Sequence, residues 1–458
     1  MSSAPTFNRA LLRKYNMRGP RYTSYPSALQ FQETTSDSQI NLLGSLGNAS
    51  KEAIGLYIHI PFCHSLCYYC GCNKIVTRHN EKADRYLDYL EKEIQLKTAL
   101  SDRILVNDIH LGGGTPSFLS KTQISRLMDI IAVYFKVSEN AQISIEIDPR
   151  KLALDYIDHL ADLGFNRLSI GLQDTNLNVQ EAINRVQSTS FVEALIKRAR
   201  ACGFKSVNLD LVYGLPRQTK ALFTRTLEQV IALNPDRISL FSYAHMPSQF
   251  AAQRKIKTAE LPSDDLKFSL FQQSIETLTD AGYLFIGMDH FAKVEDTLSK
   301  AAASGQLHRN FQGYTAEPTA ITLGLGVSAI TTLPSQYTQN AKTLNDYYAA
   351  LDTHSLPHIK YCDLSRDDLI RRDLIQQLMC NFRIDKADFS QRHSIDFDHY
   401  FKIELATLSS FISDGMLSID EHSITILSNG RLLIRNICMS FDAYISMPLH
   451  QMRYSRVI

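Results

Sequence analysis

Tyr57-Ile58-His59-Ile60-Pro61-Phe62-Cys63-His64-Ser65-Leu66-Cys67-Tyr68-Tyr69-Cys70-Gly71-Cys72-Asn73 opens as an apolar strand and ends as a loop holding four of the chain's eight cysteines. Cys63, Cys67 and Cys70 form C-x3-C-x2-C. That spacing lets three thiolates converge on one group from a short loop, and three thiolates on a four-iron cluster leave one iron open to a further ligand. Zinc is the competing occupant, but structural zinc sites are usually four-coordinate and draw on two separated hooks, and no second hook is present. A disulfide framework fits less well, because the chain is long and its other cysteines are scattered. Those four, Cys202, Cys362, Cys380 and Cys438, read as small apolar packing residues.

Outward from this stretch, apolar strand candidates recur near 54–60, 105–111, 142–148, 167–172, 206–212 and 237–243, with helical patterns such as Ala83 to Leu100 and Thr122 to Phe135 between them. Six strand–helix units predict an α/β protein with a parallel sheet, either a βα barrel or its open form, whose active residues gather at strand C-termini. The polar residues fall there: Cys63 after the first strand, Gly112-Gly113-Gly114-Thr115-Pro116 after the second, Glu146 and Asp148 at the third, Gln173 at the fourth, Asp210 in the fifth. In strand three Ile143, Ile145 and Ile147 alternate with Ser144, Glu146 and Asp148, so Glu146 faces away from the apolar row. An inward carboxylate needs a partner. A ligand's ammonium or ribose hydroxyls would serve, and so would an inward Arg in a structural ion pair. The three glycines remove the steric wall between backbone and ligand, without the spacing of a nucleotide phosphate loop.

The chain has 458 residues, 44% hydrophobic and 21% charged, with a formal charge of +1, which gives no global signal for nucleic acid or a membrane. No run reaches the length of a membrane span, and Met1-Ser-Ser-Ala-Pro5 lacks a secretory pattern, so a cytoplasmic protein is expected. Residues 1–50 show little periodicity and read as an N-terminal arm, whose Arg18-Gly-Pro-Arg-Tyr-Thr-Ser-Tyr-Pro26 either closes over an anionic ligand or packs on the main domain through Tyr22 and Tyr25. Residues 51–340 form the expected catalytic domain. Within it Asp264 to Gly282 is a helical pattern, Phe285 to Ala292 a short strand leading into a loop, and Leu307-His-Arg-Asn-Phe-Gln-Gly-Tyr314 either a solvated loop or a lining for a ligand's carboxylates. Residues 341–458 read as a mainly helical, winged-helix-like domain: helices over Asp363 to Cys380, Phe397 to Gly415 and Ser428 to Tyr444, and a β-pair over Met416 to Leu427. Its mixed charge favours a cap on the barrel over a DNA-binding module.

C-x3-C-x2-C after an apolar strand resembles the signature of radical S-adenosylmethionine (SAM) enzymes. Tyr57 to Cys63, the fourth cysteine in Cys70-Gly-Cys72-Asn73, and Asn73-Lys-Ile-Val-Thr-Arg78 narrow the resemblance to the oxygen-independent coproporphyrinogen III oxidase family, from Lys14 to Ile458. The resemblance implies an open radical-SAM (β/α) partial barrel that removes two propionate carboxylates of coproporphyrinogen III, leaves vinyl groups and yields protoporphyrinogen IX for haem biosynthesis. The alternatives are a haem chaperone of the same fold, expected to have an aromatic residue in place of Cys72, or another radical SAM enzyme. It implies one 4Fe-4S cluster on Cys63, Cys67 and Cys70, with Cys72 positioning rather than ligating. It implies two SAM molecules, one at Tyr57, Gly113, Glu146 and Ile330, the other at Tyr69, Gly114, Thr115, Gln173, Arg185, Asp210 and Ala244. Tyr69 stands where the family pattern has phenylalanine. A reduced donor such as a flavodoxin, a monomer, and no nucleic-acid partner complete the expectation.

Overall fold

Ile54–Ile60 is the first of six parallel strands, β1, followed by β2 (Ile104–Gly113), β3 (Phe135–Ile147), β4 (Arg167–Gln173), β5 (Ser206–Tyr213) and β6 (Arg237–Ser242). The structure, a computed structural model, describes residues 5–34, 53–99, 103–445 and 454. Leu100, and the parts of the expected arm and C-terminal domain at 1–4, 35–50, 446–453 and 455–458, lie outside them. The six strands neighbour one another in sequence order. Each connection carries a helix on the outer face, as parallel pairing requires. Lys82–Thr98 links β1 to β2 and buries Tyr86, Leu87, Leu90 and Ile94 at helical spacing. Lys121–Tyr134 links β2 to β3 and starts on a capping box, Ser120 with Gln123.

Alternation along the strands gives the sheet two chemically different faces. Ile143, Ile145 and Ile147, Leu168 and Ile170, and Val207, Leu209 and Leu211 are buried under the helices. The intervening residues (Ser144, Glu146, Ser169, Asn208, Asp210) point to the concave side and line a cavity. Closed barrels fill this space with branched apolar side chains. Here the sheet stays open, and the interior is polar.

The sheet grows beyond the six units at both edges to thirteen strands. Thr322–Leu325 lies parallel beside β1, and Ile330–Leu333, Gln336–Asn340, His358–Asp363 and Gln32–Glu33 follow antiparallel. The expected boundary at 340/341 therefore falls between two paired strands. At the other edge, Phe285 to Ala292 is not a strand and loop but the hairpin Tyr283–Gly287 and His290–Lys293, turned at Met288, whose φ is 47°, and its second strand pairs with β6. Leu307 to Tyr314 also forms a hairpin, His308–Asn310 with Gly313–Thr315. In the arm, a helix that periodicity did not reveal, Arg9–Lys14, is capped by Asn8.

The C-terminal module packs the helix Arg366–Asn381 with a three-stranded sheet, because Arg383–Asp385 joins the expected β-pair Leu417–Ile419 and Ser423–Ile426. Phe397 to Gly415 is broken into three short helices, Phe397–Tyr400, Lys402–Thr407 and Ser409–Ser413. The helix expected from Ser428 shrinks to a turn at Arg431–Leu433 and Ile434–Met439. Gly430 is the reason: a Cβ there would sit 2.2 Å from the Met416 carbonyl oxygen, so the chain is pressed against the hairpin before it can turn helical. This module holds the arm. Arg435 Nε donates to Pro20 O at 2.7 Å, Asn436 Nδ2 to Tyr15 O at 2.9 Å, and Tyr22 Oη to Asp442 at 3.0 Å.

Candidate metal centre and cofactor site

A cavity of about 900 Å³ occupies the concave face and the C-terminal ends of the strands. Cys63, Cys67 and Cys70 all line it. Cys63 lies on a short strand, Phe62–Cys63, paired with Ile75–Val76, and its Sγ is 3.3 Å from Thr115 Oγ1. Cys67 Sγ accepts from Arg150 Nη2 at 3.2 Å and Arg185 Nη1 at 3.4 Å. Cys70 Sγ accepts from the Cys72 backbone N–H at 3.4 Å. The loop between them is anchored by the Tyr68 N–H to Ile183 O, Asn184 Nδ2 to Leu66 O and Gln253 Nε2 to Tyr69 O. Burial pushes the Cys63 thiol up to about 11. The Cys72 thiol donating to Cys70, helped by Lys74, outweighs burial and brings Cys70 down to about 6. Cys72 also lines the cavity.

The glycine turn is built into this geometry. Gly113 has φ +113°, and a Cβ there would lie 2.6 Å from the His59 ring; one on Gly114 would lie 2.6 Å from Pro61 O. Side chains are excluded, so the end of β2 presses directly against the start of the cysteine loop.

Glu146 faces the cavity as its alternation predicted, and its partner is an imidazole, not an Arg: His110 Nε2 lies 3.3 Å from Glu146 Oε1, and His110 Nδ1 2.7 Å from Ser144 Oγ. Burial opposes charge on His110, but Glu146, Asp108 and Asp210 together outweigh it and raise the imidazole above its ordinary value. Burial, reinforced by Glu146, pushes Asp210 up to about 6, and burial does the same to Asp108. Three carboxyl groups on one concave face make a surface receptive to a cationic ligand. Glu146 is half-exposed toward the cavity. Replacing it with Ala should weaken equilibrium binding of SAM by about tenfold or more, the value of one charge-assisted hydrogen bond, while the cluster absorbance stays unchanged. Unchanged binding would return Glu146 to a structural partnership with His110.

Arg185 is buried, and its partners are Asp148 at 3.1 Å, Gly171 O at 2.8 Å and Cys67. Asp210 is not among these partners. Asp210 instead accepts from Ser169 Oγ and Asn208 Nδ2. Burial alone would raise Asp148, but Arg185 and Arg150 outweigh it and bring the carboxyl down to about 2. Tyr69, Gly113, Gly114, Thr115, Gln173 and Ala244 line the same cavity. Tyr57 and Ile330 stand behind its wall: Tyr57 stacks on His110 with ring centroids 5.9 Å apart and pairs in register with Gly324, against which the Ile330 backbone packs. Sequence reasoning did not single out His110, Asp108 or Arg150. The first two were within reach, since Asp108-Ile-His110 alternates as Ser144-Ile-Glu146 does.

The radical SAM superfamily model matches residues 57–230, and the HemN C-terminal domain model matches residues 364–433. The oxygen-independent coproporphyrinogen III oxidase of Salmonella typhimurium is 51% identical over 449 residues, covering 98% of both chains. That of Escherichia coli K12 is 50% identical with the same coverage, and that of Pseudomonas aeruginosa is 43% identical over 453 residues. The solved coproporphyrinogen III oxidase from Escherichia coli, a radical SAM enzyme, superposes with a TM-score of 0.93 at 48% identity, covering 97% of this chain and 100% of that one. Radical SAM proteins carry a four-iron cluster and SAM, and the donor set fits: three thiols open onto one cavity, with guanidinium donors beside one of them to offset thiolate charge. Matched from end to end at this level of identity, the chain belongs to the oxygen-independent coproporphyrinogen III oxidase family.

Proposed function

We propose that the chain carries out the anaerobic oxidative decarboxylation of two propionates of coproporphyrinogen III to vinyl groups, giving protoporphyrinogen IX. The observation that carries this reading is the full-length match to enzymes of that name, joined to a cavity where the cysteine loop faces a polar concave sheet. When bound, the cluster and SAM would supply the radical that removes a hydrogen atom from a propionate β-carbon, after which carbon dioxide leaves, one electron passes to an external acceptor and a vinyl group remains. The chain's own residues bind, orient and enclose. Cys63, Cys67 and Cys70 hold the cluster, and Arg150 and Arg185 donate to the Cys67 sulfur. Glu146 would receive the cofactor ammonium, with the Gly113 backbone beside it and Tyr57 and Ile330 supporting the wall from behind. Cys72 positions rather than ligates.

A second SAM molecule belongs to this reading. Arg185 and Asp210 suit its carboxylate and ammonium, and Gln173, Tyr69, Gly114, Thr115 and Ala244 complete the set. A reduced carrier such as a flavodoxin supplies the electron to a cytoplasmic monomer. No helix among the described residues is long and apolar enough to cross a membrane. In this reading the arm and C-terminal module flank a catalytic unit that runs to the end of the sheet at Asp363.

Incubated anaerobically with reductant, SAM, coproporphyrinogen III and a one-electron acceptor, the cluster-replete protein should release methionine and the divinyl product. Equilibrium binding should saturate at two SAM per chain, and at one in Arg185→Ala, where Asp148 keeps Arg150 as partner, at 3.0 Å from Nε. Absence of vinyl product overturns the activity. Saturation at one in the unmutated protein overturns the second site alone.

A further inference from the structure

We propose that Arg21 of the arm and His290 at the sheet edge form a carboxylate-receiving end of the cavity, holding a substrate propionate that is not being decarboxylated. The proposal rests on the activity inferred above and deepens it by naming substrate contacts on elements other than the cysteine loop.

The two side chains meet at Asp289, which is buried in the hairpin turn beside β6. Arg21 pairs with one carboxylate oxygen, and His290 Nδ1 lies 2.8 Å from the other. A carboxylate can only accept, so Nδ1–H points to Asp289 and Nε2 is turned away from it, placed to donate to a propionate when the ring also carries its second proton. Both Arg21 and His290 line the cavity, next to Gln312 and Tyr314. Gly313, at φ +127°, leaves the approach to Nε2 bare: a Cβ there would come within 3.3 Å of it.

Charge does not balance at this end. Arg309 stands behind Tyr314, its guanidinium 4.7 Å from the ring centroid, with Nε and Nη1 buried and unpartnered. Burial should raise the Asp289 carboxyl, yet Arg21, His290 and Arg309 overcome it and hold it well below the usual carboxylate range. One carboxylate thus serves two guanidinium groups and an imidazole. Positive charge out of water is costly unless an anion joins it, and a macrocyclic substrate with four propionates brings anions that the reaction leaves in place. Tyr314 meets the His290 ring edge-on at 5.4 Å, giving the same end an aromatic wall. Arg21 is not a loose arm residue, because Arg435 clamps the Gly19 and Pro20 carbonyls immediately before it.

The test uses the cluster-replete enzyme with SAM and, as probe, coproporphyrin III, the oxidised fluorescent macrocycle, beside its tetramethyl ester. Arg21→Met and His290→Gln should each weaken coproporphyrin III binding about tenfold, as expected for one lost charge-assisted contact. Each should raise the KM for coproporphyrinogen III while SAM binding and cluster absorbance stay constant, and Arg21→Lys should restore part of the loss. The ester should bind both variants and the unmutated enzyme alike. If the unmutated enzyme makes vinyl product and both variants bind coproporphyrin III as tightly as it does, the carboxylate site is refuted and the activity stands. If the unmutated enzyme neither binds the macrocycle nor turns it over, the activity falls and the site with it.

Discussion

Cys67→Ser should purify without iron–sulfur absorbance and, after anaerobic reconstitution, give no detectable vinyl product. A serine hydroxyl stays protonated where a thiolate would bind iron, and a loop with two thiolates has lost one of three anchors. Cys67 is also the sulfur that Arg150 and Arg185 face, at 3.2 and 3.4 Å, so its loss removes one acceptor from two guanidinium groups that keep Asp148 as their anion. Cys72→Ser is the contrasting variant. Its backbone N–H already turns back to Cys70 Sγ, a tight span for a fourth ligand, so the cluster should persist and only turnover should suffer. A full cluster in Cys67→Ser, counted as iron and sulfide per chain, would overturn the ligand assignment.

Glu93→Ala should produce a large loss of stability from behind the site. Glu93 and Lys97 pair at 2.7 Å with both side chains fully buried. Glu93 also accepts from the Gly326 N–H, Asn340 Nδ2 and Tyr347 Oη, and Lys97 donates to Gly324 O. Removing the carboxylate strands the ammonium away from water, a change that costs about 3–5 kcal/mol when a buried pair is broken on one side. The denaturant midpoint, read by tryptophan-independent far-UV dichroism because the chain has no Trp, should fall accordingly. The double variant Glu93→Leu/Lys97→Met should recover much of it, since an apolar pair needs no partner. A Glu93→Ala midpoint equal to that of the unmutated chain would show that water reaches Lys97.

What could be read in the chain follows the range of the forces involved. All six parallel strands were legible because alternation is local: Ile143, Ile145 and Ile147 announce a buried row, and Glu146 must then face the other way. The cysteine loop was legible because its chemistry lies within eight residues, Cys63 to Cys70. Partnerships across the fold were not. Arg185 meets Asp148, 37 positions away, and no spacing rule ranks that above Asp210. His290 looked like an ordinary residue at a strand end until the hairpin turn brought Asp289 and the arm to it. The edge strands past 322 were missed because they are short and mixed in polarity, and antiparallel neighbours rather than periodicity make them strands.

The clasp on the arm has a bearing on synthesis. Gly19 and Pro20 are held by Arg435, and Tyr15 by Asn436, contacts that span 415 to 421 positions of sequence. Chains emerge from the ribosome amino end first, and domains settle as they emerge. The six-strand sheet can form once Ser242 is clear, but the Gly19 and Pro20 carbonyls, made long before it, are not clamped until Arg435 has emerged. The arm is thus clamped late in synthesis, and a chain arrested between Ser242 and Arg435 carries the cysteine loop beside an arm that this clasp does not yet hold.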